Sequence, residues 1–154
     1  MITIDFSRIS MDPGSRILDI GCGSGRHTSE AYRCRDAFVI GADLSIDDVM
    51  EARGRLRFHD QLGEHGGGTW QLNIADIRHL PYKGHAFDLV ICSEVMEHIP
   101  DEKQAALELA RILKPGKHLA LSVPRYMPER ICWILSHEYH MANQGHIRIY
   151  HRKE

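Results

Sequence analysis

An α/β domain built on a mostly parallel sheet is the architecture predicted by the chain's patterning. Short apolar runs end in polar or glycine-rich turns, and longer amphipathic stretches alternate with them. The length points the same way: 154 residues suffice for one sizeable core and not for two independent ones. Residues 1–154 are therefore expected to form a single domain.

The elements follow in order. The first apolar run, Arg16–Ile20, stops at a glycine cluster, and 26–33 reads as a helix. The second run, 37–44, closes on Asp43. Ser45 then stands as N-cap with Asp48 three residues on, predicting a helix that continues to about Gly63. Gly66-Gly67-Gly68 breaks the chain, and 69–75 alternates in the manner of a strand near a sheet edge. The nearly unbroken apolar run at 87–92 fits an interior parallel strand covered on both faces. Over 102–113, Ala106, Leu109, Ala110 and Leu113 recur at helical spacing, and Lys114-Pro115-Gly116 ends that helix ahead of a fifth strand at 118–123. Beyond Pro124 the pattern weakens, with a helical reading over 129–141 and a short alternating segment at 146–150.

Composition narrows the function classes. A net charge of −2 lacks the excess of Lys and Arg that a polyanion surface needs, which argues against nucleic acid as a partner. Cys22, Cys34, Cys92 and Cys132 form no CxxC pair, so reduced thiols are expected rather than a zinc knuckle or redox dithiol. No stretch approaches the roughly 20 apolar residues of a membrane span, and no basic start precedes a long apolar run. These features predict a soluble, cytoplasmic protein.

A strand feeding Gly21-x-Gly23-x-Gly25 and then a helix lets main chain approach a ligand closely. Alone, this pattern leaves a plain tight turn and a dinucleotide site both open. The dinucleotide fingerprint Gly-x-Gly-x-x-Gly/Ala wants a small residue where Arg26 stands. Asp19, just ahead of the loop, would also repel a pyrophosphate and suits a ligand that carries an ammonium group.

Leu18-Asp19-Ile20-Gly21-Cys22-Gly23-Ser24-Gly25 resembles motif I of the class I S-adenosylmethionine (SAM)-dependent methyltransferases. Asp43 in Gly41-Ala42-Asp43-Leu44-Ser45, then Asn73-Ile74-Ala75-Asp76, resemble the family's next two motifs. The long segment Phe87-Asp88-Leu89-Val90-Ile91-Cys92-Ser93-Glu94-Val95-Met96-Glu97-His98-Ile99 is similar to the small-molecule branch (the methyltransferase type 11-like domain), which includes quinone-biosynthesis enzymes. The helix, Lys-Pro-Gly turn and strand over 111–121 complete a resemblance running from residue 13 to 124.

The resemblance implies a Rossmann-like three-layer sandwich and SAM as cofactor, with S-adenosylhomocysteine as product. It implies cofactor contacts from Asp19, Gly21, Gly23, Gly25, Leu44 and Ser93. Asp43 would take the ribose hydroxyls, Asp76 the adenine amine, and the Ile77 amide a ring nitrogen. A small-molecule acceptor is implied, with Tyr126, His146 and Arg148 on the substrate side.

Methyl transfer from a sulfonium asks chiefly for alignment and exclusion of water, and for a base only when the acceptor must lose a proton. No catalytic residue is fixed by this pattern. His98 is the candidate, since Glu94, Glu97 and His98 follow the central strand and open toward the expected cofactor mouth; ordering of the local turn is the competing reading. His27 could flank the methionine end of the cofactor, but a solvent-facing place in the first turn of its helix is the expected one. His137 and His140 could share a helix face, but no third ligand stands at informative spacing, so no metal site is predicted. The family's final antiparallel hairpin is not found in 125–154, a segment expected to be incomplete, which would leave an open sheet edge inviting self-association. A SAM-binding module without turnover and a nucleotide-dependent oxidoreductase are the alternatives.

Overall fold

The computed structural model describes residues 3–123. The five strands predicted between residues 16 and 123 form one sheet: β1 (Arg16–Ile20), β2 (Phe38–Asp43), β3 (Thr69–Ile74), β4 (Phe87–Ser93) and β5 (Leu113–Ser122). Their spatial order is β3-β2-β1-β4-β5, and all four pairings are parallel. Three helices accompany them: α1 (Arg26–Tyr32), α2 (Ile46–Leu62) and α3 (Glu102–Ile112).

Strand alternation sorts the core onto two faces. Ile17, Val39, Leu89 and Ile91 pack with Ala31 and Tyr32 of α1 and Leu56 of α2. Leu18, Ile20, Ile40, Val90 and Cys92 pack with Ala105, Leu109 and Ile112 of α3. Both faces are thus covered, giving the expected three layers and explaining why β1 and β4 read as continuous apolar runs. The alternating strand β3 lies at the sheet edge, as its pattern predicts.

Two expectations need correction. The buried stripe of α3 is Ala105, Leu109 and Ile112, while Ala106 and Ala110 are exposed and Leu113 already belongs to β5. The β5 pairing also begins earlier than 118. Leu113 pairs with Phe87, a bulge through Lys114–Lys117 follows, and regular pairing resumes at His118 opposite Leu89. The expected segments at 129–141 and 146–150, and the question of a final hairpin, lie outside the described residues.

Among the described residues no helix is long and apolar enough to cross a membrane.

The order 3-2-1-4-5 reverses direction between β1 and β4. In open parallel sheets, ligands bind in the crevice beyond the carboxyl ends of strands at such a switch point.

Candidate cofactor cavity

The chain leaves β1 through a turn that only glycine negotiates cheaply. Gly21 has φ +69, and a Cβ there would run into the Val95 side chain. Gly25, with φ +77, would bring a Cβ to 2.8 Å from Cβ of Ala52 on α2. The loop is tied to β2 by bonds from the Gly21 and Cys22 amides to the Ala42 carbonyl, 2.8 and 3.1 Å. The Gly23 amide donates to Oδ2 of Asp43 at 2.9 Å, and the Ser45 amide donates to Oδ1 at 3.0 Å. Asp43 therefore joins the glycine loop to the start of α2, whose Ser45 Oγ accepts from the Asp48 amide at 3.3 Å as the capping pattern predicts.

These elements enclose a cavity of about 350 Å³, within the usual range for small-ligand sites. Among the described residues its wall consists of Ile20, Gly21, Asp43, Leu44, Asp48, Ala75, Asp76, Ile77, Glu94, Val95, His98 and Ile99. The sequence-predicted Gly21, Asp43, Leu44, Asp76, Ile77 and His98 thus come together. Ile20, Asp48, Ala75, Val95 and Ile99 are additions; Asp48, in the first turn of α2, was legible only as a helix-start residue.

The other candidates stand elsewhere. Asp19 is 1% exposed beneath the loop, accepting from Oγ1 of Thr28 on α1 at 2.6 Å. Burial pushes its carboxyl up to about 6, against the pull of the Thr28 bond. It braces α1 and does not line the cavity. Gly23, Gly25 and Ser93 are also absent from the wall. Ser93 is buried, its Oγ within 2.6 Å of Thr3 Oγ1 and 2.8 Å of Ser122 Oγ.

Asp76 holds the far end of the cavity. Its two oxygens receive Nε and Nη2 of Arg78 at 3.0 and 2.7 Å, and Oδ1 also takes the Arg78 amide at 2.9 Å. The Arg78 side-chain bonds lead the causes that hold this carboxyl below its ordinary range.

Glu94 follows β4 with φ +56, a left-handed conformation rare outside glycine. Its Oε1 accepts from Ser122 Oγ at 2.9 Å. The short 3₁₀ turn Met96–His98 then separates its acidic and imidazole members. His98 is exposed and lines the cavity, whereas Glu97 is fully buried and does not open toward it, contrary to expectation.

The expectation for His27 also fails. It is buried, with Nε2 accepting from the Thr3 amide at 3.1 Å, and burial lowers its pKa. Tyr126, His146, Arg148, His137 and His140 lie outside the described residues.

The chain is similar to methyltransferases in sequence and in structure. Methyltransferase GfsG of Streptomyces halstedii is 35% identical over 117 residues, covering 76% of this chain and 40% of that protein. The ubiquinone biosynthesis O-methyltransferase of Hahella chejuensis is 33% identical over 129 residues, covering 82% of this chain and 51% of that protein. The chain therefore spans about half, or less, of the length of these relatives. Among solved structures, CrArsM, an arsenic(III) S-adenosylmethionine methyltransferase from Chlamydomonas reinhardtii, superposes with a TM-score of 0.65 at 26% identity, over 82% of this chain and 46% of that one. The signature of the methyltransferase domain family runs through residues 18–121, and the chain belongs to that family.

Proposed function

We propose that this chain is the cofactor-binding core of a SAM-dependent methyltransferase that transfers a methyl group to a small-molecule acceptor. The observation that carries the reading is the charge of the cavity wall. Among the described residues four carboxylates (Asp43, Asp48, Asp76 and Glu94) line it, with His98 as the imidazole and no Lys or Arg. Such a wall disfavours a pyrophosphate and favours a ligand with hydroxyls, an amine and net positive charge, and Ile20, Leu44, Ile77, Val95 and Ile99 offer apolar surface for a base. SAM has this chemistry.

Within this reading Asp43 accepts the ribose hydroxyls. Each of its oxygens has lone-pair capacity beyond the one amide it already takes. Asp76 accepts the adenine amine and the Ile77 amide meets a ring nitrogen. The main chain of Gly21, Gly23 and Gly25, with Ser93, borders the methionine part, and Asp19 supports it through α1. Bound there, SAM supplies an electrophilic methyl group on a sulfonium sulfur. His98 stands where it can take a proton from an acceptor hydroxyl. The relatives' names include O-methyltransferases, which favours an oxygen acceptor; Tyr126, His146 and Arg148 remain its proposed contacts.

The same reading takes residues 1–154 as one domain working in a reducing, cytoplasmic setting, with which the free thiols Cys22, Cys34 and Cys92 are compatible. Self-association would run through an outer strand of the sheet.

Thermal shift tests the cofactor. At 100 times its dissociation constant S-adenosylhomocysteine should add about 2.7 kcal/mol, raising Tm by about 5 to 10 °C. NAD(H) should add nothing, and a shift with NAD(H) alone would overturn the reading. Turnover of SAM across a panel of hydroxylated small molecules then separates an enzyme from a binding module.

A further inference from the structure

The connection from β3 to β4 carries Asp76 and Ile77 to the cavity, yet residues 75–86 contain neither helix nor strand. A connection of this length has no ladder of its own to fix it. It is fixed from α3. Gln104, Glu108 and Arg111 form a polar stripe beside the buried stripe Ala105, Leu109 and Ile112, and every member of it reaches main chain of this loop. Gln104 Nε2 donates to the Arg78 carbonyl at 3.1 Å. The Leu80 amide donates to Oε2 of Glu108 at 2.8 Å. Arg111 donates from Nη1 to the Tyr82 carbonyl at 2.7 Å and from Nη2 to the Leu80 carbonyl at 3.0 Å.

Glu108 and Arg111 also hold each other, with Nε to Oε1 at 2.6 Å and Nη2 to Oε2 at 2.8 Å. The Arg111 bond is the first reason that the Glu108 carboxyl sits below its ordinary range, so the pair stays charged at neutral pH. Arg78, whose carbonyl Gln104 holds, in turn grips the Asp76 carboxylate with its amide and its guanidinium. The polar stripe of α3 therefore holds the loop at two places: Gln104 at Arg78, which grips the cavity-wall carboxylate directly, and the Glu108–Arg111 pair at Leu80 and Tyr82, two and four residues further along the same main chain. Packing of α3 needs only its apolar stripe; a planar guanidinium that satisfies two loop carbonyls fixes their position as well.

We propose that Glu108 and Arg111 are positioning residues that set the base selectivity of the site by fixing Asp76 against the exocyclic amine of adenine. The inference rests on the cofactor reading given above.

The test uses the full chain as wild type, Arg111→Lys and Glu108→Gln, both chosen to keep polarity and size. The probes are S-adenosylhomocysteine and S-inosylhomocysteine, which replaces the amine by a carbonyl, titrated by calorimetry. Hydrogen exchange of the free proteins is read in parallel. The expected result is a loss of S-adenosylhomocysteine affinity of about 3- to 10-fold in each variant, with S-inosylhomocysteine changed by less than ~2-fold, so that the preference for adenine narrows. In the free variants the Arg78 and Leu80 amides should exchange about 10-fold faster while the Gly23 amide does not.

Equal losses for both ligands would mark a merely structural role and overturn the proposal, as would unchanged exchange at Arg78 and Leu80. A wild-type protein that binds neither ligand would overturn the cofactor reading itself and this inference with it, a result visible before any variant is made.

Discussion

Single side chains divide the site into a part that meets a ligand and a part that supports it. Asp43 does both: it bonds the Gly23 and Ser45 amides while facing the cavity. Asp43→Ala should weaken S-adenosylhomocysteine by about 10- to 100-fold, the worth of charge-assisted hydrogen bonds, and Asp43→Asn by less; calorimetric affinities unchanged in both would reject the ribose role. Asp19 supports from beneath, and its folded pKa, raised from 3.8 to about 6 by burial, gives a pH signature. Between about pH 4 and 6 the folded protein holds a proton that the unfolded chain has released. Its contribution is therefore full below pH 4 and is lost as pH rises through 6, amounting to about 3 kcal/mol. Asp19→Asn, which stays neutral, should gain on wild type by about that amount across the window in urea titrations, and parallel pH profiles would reject the shift. The placing of Gly21, Asp43 and Asp76 at the cavity was legible in the sequence because each stands in a segment that resembles a family motif at or just past the end of a strand. The divergence of Glu94 and His98 from Glu97 was not legible. It depends on a left-handed residue at 94 and a three-residue turn, neither of which has a periodicity to read. The burial of His27 depends on Thr3, 24 residues away, which no local pattern reports.

Among the elements, α2 is held by few core contacts. Of its 17 residues only Ala52 and Leu56 are buried, while Ile46, Met50, Phe58 and Leu62 are exposed. A helix with so narrow a buried stripe draws proportionally more on its ends. Ser45→Ala should cost about 1 kcal/mol, Ser45→Gly a few tenths and Ser45→Asp nothing measurable. Urea midpoints should fall in that order at constant m-value, and a Ser45→Ala midpoint equal to wild type would show that the Oγ bond to Asp48 contributes nothing. The start and stop of α2 were legible because Ser45 and Gly63 carry their own chemistry: an Oγ acceptor, and φ +67 at the C-cap. The face of α3 was less legible. Alanines at 105, 106 and 110 are interchangeable as letters, and packing against the sheet selects 105 with Leu109 and Ile112. In β5 the bulge after Leu113 is set by pairing with β4 across 26 residues, beyond the reach of the Lys-Pro-Gly turn signal.

For the molecule as a whole, among the described residues, four parallel pairings place the carboxyl ends of β1, β2, β3 and β4 at one end of the sheet, where every cavity-lining segment is found. The turns at the opposite end, through Asp36 and His85, lead into β2 and β4 and contribute nothing to that wall. Ligand binding should therefore leave a one-ended footprint. With saturating S-adenosylhomocysteine, amide hydrogen exchange should slow at 21–25, 43–48, 75–78 and 94–99, by a factor that approaches 1 + [L]/Kd wherever exchange proceeds through opening that releases the ligand. Residues 33–37, 63–68 and 83–86 should keep their rates, because they open at the far end without breaking a ligand contact. Protection confined to the glycine loop would describe a small anion held by main-chain amides, and protection at the far end would place the ligand elsewhere on the sheet. Protection of the four segments together is the outcome expected when one ligand spans the switch point from the glycine loop to Asp76.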